Sequence, residues 1–270
     1  MRADKKYLVD MFTGGGAVAF NSLDLFDKVY AYDKNDDLIK IHEWIQKGSI
    51  ESILTDIYTI INMYELSKDN KEGFLRLREN YNKLVRKGTK STPMLYCLIT
   101  HSFNYSLHTN SKGEFNAPSG ATRSYFNKAL RDKLIDYKVE LSKYPDKLTY
   151  RTRDILAGGG FEQPISETVF FVDPPYSASI SKHPYRVAGI EWDETSDRKL
   201  FEILNYISDY EGKFVFTNVL ENNGVSNIPL QKWIDERKLN TYDVKIDYSN
   251  SSYQRKNYGK TREIIITNFG

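Results

Sequence analysis

Cysteine is almost absent from this chain: Cys97 stands alone among 270 residues. A single thiol excludes a disulfide framework and a cysteine-built zinc site, and it suits a reducing compartment. Long apolar runs are missing too. None approaches the roughly 18–20 residues that span a bilayer, and Met1-Arg2-Ala3-Asp4-Lys5-Lys6 lacks the apolar core of a secretory signal. The four histidines show no metal-ligand clustering, so no metal is expected. No internal repeat or low-complexity tract interrupts the chain. What remains is long enough for one large domain, or for a core carrying an insertion. It is rich in aromatics, with 20 Tyr and 14 Phe, mostly for packing, although a base-binding protein can also use them.

The net charge of +2 says little, but its distribution says more. Residues 46–145 hold 16 Lys+Arg against 10 Asp+Glu, a balance of +6; subtraction from totals of 38 and 36 leaves 22 against 26, or −4, elsewhere. The middle is therefore the candidate phosphate-binding surface. Its densest part runs from Lys83, Arg86, Lys87 and Lys90 through Arg123, Lys128, Arg131 and Lys133. Lysines of this kind also serve as the solvated face of amphipathic helices.

Periodicity predicts helices after Asp36 (Leu38, Ile41, Ile45), over Glu72–Val85, from Thr92-Pro93 to Phe103, and from Tyr125 to Leu141. Between the last two, the polar stretch Asn104–Thr122 has no period, and a loop of that length is more often functional than idle. Further on, strands are expected at Leu148–Arg153, Thr168–Val172, Lys213–Thr217, Tyr242–Tyr248 and Glu263–Thr267, with helices near Ser196–Tyr210 and from Pro229. Such alternation argues a mostly parallel sheet ending in an antiparallel hairpin.

Asp173-Pro174-Pro175-Tyr176 closes the apolar run Thr168–Val172. Proline gives no backbone donor and fixes φ, so the chain must turn out at the C-terminal end of that strand. Ligands sit at that end in open α/β sheets. The turn gathers a carboxylate, a backbone carbonyl and a flat aromatic, a set suited to a planar base with an exocyclic amine. Asp173 and the Pro174 carbonyl can accept the amine hydrogens while Tyr176 stacks on the ring. A plain strand exit with a capping Asp is the blander reading.

A second constellation is N-terminal. Tyr7–Phe12 reads as a short buried strand, Thr13-Gly14-Gly15-Gly16 as a tight turn, and Ala17-Val18-Ala19-Phe20 as a helix start. The next apolar run, Val29–Tyr32, ends in Asp33, placed as acids that bind ribose hydroxyls are placed. Asp154 follows a third strand, at a plausible edge of the same sheet. The blander reading makes both acids helix caps at strand ends.

Together these segments resemble the DNA adenine-N6 methyltransferases, specifically the Dam type found in T-even phages. The resemblance runs from Asp10 onward. It rests on Phe12–Gly16, Asp173–Tyr176, Lys71–Asn82, Asn110–Pro118, Thr217–Glu221 and Glu263–Asn268. It implies an α/β fold: a doubly wound, Rossmann-like methyltransferase sheet in residues 1–45 and 146–270, with a mainly helical DNA-recognition domain inserted at 46–145. It implies S-adenosylmethionine as cofactor, adenine in duplex DNA as substrate, and work in the cytoplasm of a bacterial or phage-infected cell. Asp173, Pro174, Pro175 and Tyr176 would be catalytic. Phe12, Gly14 and Gly16 would cradle the cofactor, with Asp33 on its ribose and Asp154 on its adenine amine. In the loop Phe103–Gly120, Phe103 and Asn104 would meet the extruded base, and His108, Asn110, Lys112 and Pro118 would face the groove. The charge balance, rather than the resemblance, adds Arg123 and Lys128 as phosphate contacts.

Two departures qualify that picture. The family typically has Arg where His108 stands, and Arg reads guanine in a two-pronged way that neutral His cannot match, so the usual GATC target is open here and His108 reads either as a base contact or as a simple loop residue. The family also carries a longer lead with a Gly-x-Lys element, whereas 11 residues precede Phe12 here. A second polypeptide supplying that element is one expectation. A catalytically silent DNA-binding paralogue is the alternative to an active methyltransferase.

Overall fold

The computed structural model describes residues 5–120, 123–176, 185–187, 190–222, 224–244 and 261–270. The chain divides into two compact units. The first holds residues 1–34, 146–185 and 191–270, and the second residues 35–145 and 186–190. The second unit begins at Asn35 and includes the helix after Asp36.

The first unit is built on one sheet. Its parallel strands are β1 (Tyr7–Asp10), β2 (Lys28–Asp33), β3 (Leu148–Thr152), β4 (Thr168–Val172) and β7 (Lys213–Asn222). The spatial order is β3-β2-β1-β4-β7-β10-β9, where β9 (Asn240–Asp243) and β10 (Thr261–Thr267) are antiparallel to their neighbours. The short β8 (Val225–Ser226) pairs with β7, and β5 (Tyr185–Val187) pairs with β6 (Ile190–Trp192) in a separate ladder. β3 is the sheet edge, as its sequence suggested. The expected strand at Tyr242–Tyr248 is described only as far as Val244, and its remaining residues lie outside the described ones.

Central strands need apolar residues on both faces, and β1, β4 and β7 supply them. Val9, Met11, Phe170, Val172, Phe214 and Phe216 are fully buried in one core with Leu200, Leu204 and Ile207 of α7 (Glu194–Asp209) and Leu230 and Trp233 of α8 (Ile228–Arg237). Phe201 stacks on Trp233 with ring centroids 4.5 Å apart. Asp193 caps α7 by accepting from the Ser196 amide, and Asn227 caps α8 in the same way through Leu230.

The second unit is helical: α2 (Asp36–Lys47), α3 (Ile50–Tyr64), α4 (Lys71–Arg86), α5 (Thr92–His101) and α6 (Lys128–Leu141). Each begins on an Asn or Ser whose side chain accepts an orphan amide of the first turn. Ile53, Ile57, Phe74, Leu77, Tyr81 and Leu98 form its centre. Among the described residues, no helix is long and apolar enough to cross a membrane.

Candidate active site

Strand order reverses between β1 and β4, and these two strands are adjacent. β2 and β3 continue on one side, β7 on the other. A doubly wound sheet opens a crevice at such a reversal, beyond the C-terminal strand ends. Asp10 lies level with Phe171 across the β1–β4 pair, and the Met11 amide donates to the Phe171 carbonyl at 2.9 Å. The turn after β1 and Asp173–Tyr176 after β4 therefore leave the sheet side by side. The sequence had marked both segments, but not their adjacency.

The glycine turn, Thr13–Gly16, is tied down at three points. The Thr13 amide donates to the Tyr32 carbonyl at 2.8 Å, the Gly14 amide to Asp33 Oδ2 at 2.9 Å, and the Gly16 amide to the Thr13 carbonyl at 2.7 Å. Gly14 at φ +47° and Gly16 at φ +76° hold left-handed conformations that a side chain would strain. A Cβ on Gly15 would meet nothing within 4 Å, so the outer edge of the turn is open. Gly16 starts the five-residue α1 (Ala17–Asn21). Phe12 packs edge-on against Trp192, with centroids 5.5 Å apart.

Asp10 lies under this turn and was not singled out in the sequence. It is 1% exposed; Oδ2 accepts from Thr13 Oγ1 at 3.0 Å, and Oδ1 has no hydrogen-bond partner among the described residues. Burial pushes its carboxyl up to about 6, against the hydrogen bond from Thr13 and the pull of the Ala19 and Phe12 backbone donors, and the Asp173 charge adds a smaller upward push. A buried carboxylate with an unused oxygen beneath an open glycine turn suits a ligand that brings a cation or donors.

Asp33 and Asp154 lie at the ends of the paired strands β2 and β3, where the Arg153 amide donates to the Asp33 carbonyl at 2.8 Å. Asp33 holds the glycine turn. Asp154 does cap a helix, a 3₁₀ turn over Ile155–Ala157: Oδ1 accepts from the Leu156 amide at 3.0 Å, and Oδ2 pairs with Lys34 at 2.8 Å. A carboxylate has about four acceptor positions, so the cap and the ion pair do not exhaust those of Asp154. Arg153, from the same segment, lies over the rings of Tyr32 and Phe161 and donates to the Gly159 and Gly160 carbonyls.

At the end of β4, Asp173 is exposed, Pro174 is buried, and Pro175 and Tyr176 are half-buried. Asp173 Oδ1 accepts from Thr217 Oγ1 of β7 at 2.6 Å.

The second unit carries the other expected residues. The loop after α5 is more ordered than its composition suggests. The Phe103 amide donates to the Pro118 carbonyl, the Asn116 amide to the His108 carbonyl and the Asn110 amide to the Glu114 carbonyl, each at 2.9 Å. Bridges join Ser102 to Ser119 and Thr109 to Phe115. Asn110 turns the tip: Oδ1 accepts from the Lys112 and Glu114 amides, and Nδ2 donates to Glu114 Oε2. Its polar atoms are largely committed to the turn. His108 and Lys112 are exposed beside it, and Pro118 is exposed where its carbonyl holds Phe103. Ala121 and Thr122, the last residues of the expected loop, lie outside the described ones.

Side chains of α4 bolt the loop down. Asn82 makes a reciprocal pair with Phe115, donating to its carbonyl at 3.0 Å and accepting its amide at 2.8 Å. Arg86 bridges Glu79 at 2.7 Å and Glu114 at 2.6 Å. At the other end His101 is buried, with Nδ1 2.8 Å from the Cys97 carbonyl, and burial lowers its pKa, keeping the ring neutral. Phe103 and Tyr105 are 45% and 43% exposed, and Asn104 and Tyr105 both hold positive φ, +54° and +53°. Two consecutive left-handed residues without glycine store strain of a kind found at functional segments.

The basic stretch is partly spent on internal pairs. Arg86 is engaged as above, Lys90 meets both oxygens of Asp37 at 2.7 Å, and Lys128 and Arg131 share Asp132. No ion pair is found among the described residues for Lys83, Lys87, Arg123 or Lys133.

A family model for the D12 class of N6 adenine-specific DNA methyltransferases matches residues 1–250. The Type II methyltransferase M.FokI of Planomicrobium okeanokoites is 32% identical over 262 residues, 97% of this chain and 38% of that protein. The modification methylase StsI of Streptococcus sanguinis is 30% identical over 97% of this chain and 38% of its own length. The chain thus spans well under half of these relatives. An rRNA methylase structure from Streptococcus thermophilus is 10% identical, with a TM-score of 0.38 over 97% of this chain and 87% of that one. That score adds nothing to the fold read from the strand order.

Proposed function

The chain belongs to the D12 class of N6 adenine-specific DNA methyltransferases, and from that premise we propose that it methylates N6 of an adenine extruded from duplex DNA. The observation that carries this reading is the placement of Asp173-Pro174 beside the glycine turn at the reversal of strand order. A methyl donor and an amine acceptor must meet there.

The residues fit S-adenosylmethionine. The open edge at Gly15, the acid Asp33 at the tip of β2 and the unpartnered oxygen of buried Asp10 form a place for a cationic, ribose-bearing ligand. When bound, that cofactor supplies an electrophilic methyl group. In this reading Phe12, Gly14 and Gly16 shape its seat, Asp33 accepts from its ribose and Asp154 from its adenine amine. Asp173 and the Pro174 carbonyl accept the hydrogens of the target amine. This favours a more tetrahedral nitrogen whose lone pair is no longer fully conjugated with the ring. Tyr176 stacks on the base, recovering about 1–3 kcal/mol of the few kcal/mol that extrusion costs. Orientation and placed dipoles then supply most of the acceleration.

The second unit would hold the duplex. The +6 balance of residues 46–145 within it suits phosphates, and the strained, exposed Phe103–Tyr105 segment suits the gap left by the extruded base. Cytoplasmic work on DNA follows from the same reading. A silent DNA-binding copy is less favoured, since the matched family and relatives are methyltransferases.

The test is methyl transfer from labelled S-adenosylmethionine to duplex DNA. The wild-type chain transfers label to adenine N6; Asp173→Ala binds the cofactor but transfers none. Transfer by Asp173→Ala near the wild-type rate in a single turnover would remove the catalytic assignment.

A further inference from the structure

β7 runs beside β4 in parallel, with Val172 level with Phe216, so the next residues of the two strands, Asp173 and Thr217, face each other just beyond that pair. Thr217 Oγ1 lies 2.6 Å from Asp173 Oδ1 and 3.4 Å from the Val172 carbonyl. A hydroxyl has one proton, and the shorter contact, within the range for a hydroxyl on a carboxylate, takes it. Thr217 is well placed to act as a fixed point. It is half-buried, its strand is paired with β4 on one side and β10 on the other, and its register with Ile265 locks the backbone. Its β-branched side chain is stiff about χ1. Asp173, by contrast, is exposed at a strand end, where a carboxylate would otherwise sample several orientations.

We propose that Thr217 is a positioning residue for methyl transfer: its hydroxyl holds the Asp173 carboxylate in the orientation that receives the target amine. With Oδ1 taken by Thr217, the plane of the carboxylate is set and Oδ2 is presented to an amine hydrogen, while the Pro174 carbonyl takes the other. In the step itself the amine nitrogen forms the new C–N bond, the sulfur keeps the electron pair of the broken S–CH3 bond, and the surplus amine proton leaves toward Asp173 and solvent. Thr217 touches none of the reacting atoms, and its effect passes entirely through Asp173.

The proposal rests on the methyltransferase reading above, and its test separates the two. Thr217→Val keeps the shape and removes the hydroxyl; Thr217→Ser keeps the hydroxyl and removes the methyl. The expected result for Thr217→Val is a single-turnover rate lowered about 10- to 100-fold, the scale of a misplaced reacting group. Affinities for S-adenosylmethionine and for fully paired duplex DNA stay within about twofold, and Thr217→Ser returns to within about threefold of wild type. A Thr217→Val rate equal to wild type, or a Thr217→Ser rate as low as that of Thr217→Val, overturns the positioning role. If the wild-type chain transfers no methyl group, it is the enzymatic reading that fails. Binding to a duplex with an unpaired adenine then decides the positioning role. Thr217→Val should weaken that binding in the wild-type background and have no further effect once Asp173 is Ala. Independent, additive losses would overturn it.

Discussion

The Gly14 amide donates to Asp33 Oδ2 at 2.9 Å, so the acid at the tip of β2 anchors the turn that leaves β1. One carboxylate thereby has two tasks, shaping the glycine turn and, in the proposed function, receiving the ribose.

Asp33→Ala should therefore fail in two measurable ways. Loss of a hydrogen bond to a charged acceptor costs about 1.5–3 kcal/mol, visible as a lower unfolding midpoint. Cofactor affinity should fall at least about tenfold. Asp33→Asn keeps an acceptor for the Gly14 amide and should recover most of the stability but less of the affinity. Equal cofactor affinity in all three proteins would remove Asp33 from the binding site.

Asp10 gives a pH dependence of definite sign. Its carboxyl is raised from an ordinary 3.8 to about 6 in the folded chain, so between those values the folded state holds the proton more tightly than the unfolded state. Stability contributed by this residue therefore falls as pH rises from 4 to 6, and the full cost of the buried charge is present above 6. At about 1.4 kcal/mol per pH unit, that cost is about 3 kcal/mol. Asp10→Asn should be more stable than wild type at pH 8, by up to that amount, and gain nothing at pH 4. It should also bind S-adenosylmethionine more weakly, because the buried negative charge is lost. Urea unfolding at the two pH values checks the first effect and calorimetric titration the second. A stability difference that does not change with pH would contradict the assignment.

Gly73 sets helix propensity against sterics. Alanine ordinarily favours a helix over glycine by about 1 kcal/mol. Here a Cβ would stand 2.2 Å from the Tyr64 carbonyl oxygen and 3.0 Å from Asn70 Nδ2, the side chain that caps α4. Backbone cannot give way cheaply, so Gly73→Ala should destabilise the second unit by about 1–3 kcal/mol, as read by denaturant unfolding. A more stable variant would show that α4 can slide away from the end of α3.

The local devices were legible in the sequence because they are local. Glycines after an apolar run, two prolines after another, and Thr92-Pro93 before a buried stripe each act through their own backbone. The α3 helix was equally readable, from Ser49 as cap and Ile53, Ile57 and Ile60 at helical spacing, but its period was not picked out. Other features have no local signature. Asp10 reads as the last residue of a strand until burial leaves its oxygen unpartnered. Thr217 meets Asp173 across 44 residues. Asn82 reaches Phe115 across 33, and Arg86 reaches Glu114 across 28. Charge counting is blind for the same reason: it cannot see Lys90 spent on Asp37.

A pairing of the same kind, between Lys128 and Asp132, gives the phosphate candidates Arg123 and Lys128 different weights. Log affinity for duplex DNA should fall with log salt by about 0.9 per phosphate neutralised. Arg123→Ala should flatten the slope by about that much. Lys128→Ala should do so by less, because Asp132 already sits 2.6 Å from its ammonium. Unchanged slopes in both variants would place the DNA surface elsewhere.

His108 offers the sharpest test of base reading. Its carbonyl accepts the Asn116 amide at 2.9 Å while its side chain is exposed, so a substitution changes what is shown to solvent without breaking the ladder of the loop. The neighbouring Asn110 is committed to the turn, which leaves His108 and Lys112 as the side chains there with chemistry to offer a groove. A guanidinium presents two parallel donors to guanine O6 and N7, worth about 1–3 kcal/mol of discrimination, whereas a neutral imidazole presents one. Phosphate contacts elsewhere in the unit would still supply most of the non-specific affinity. His108→Arg should therefore shift sequence preference toward guanine at one position, about 5- to 100-fold, with total DNA binding little changed. Methylation across a randomised site library, run for both proteins, measures this directly. Indistinguishable profiles would mean that the side chain at 108 does not reach the bases, and that any sequence reading is done by another part of the loop.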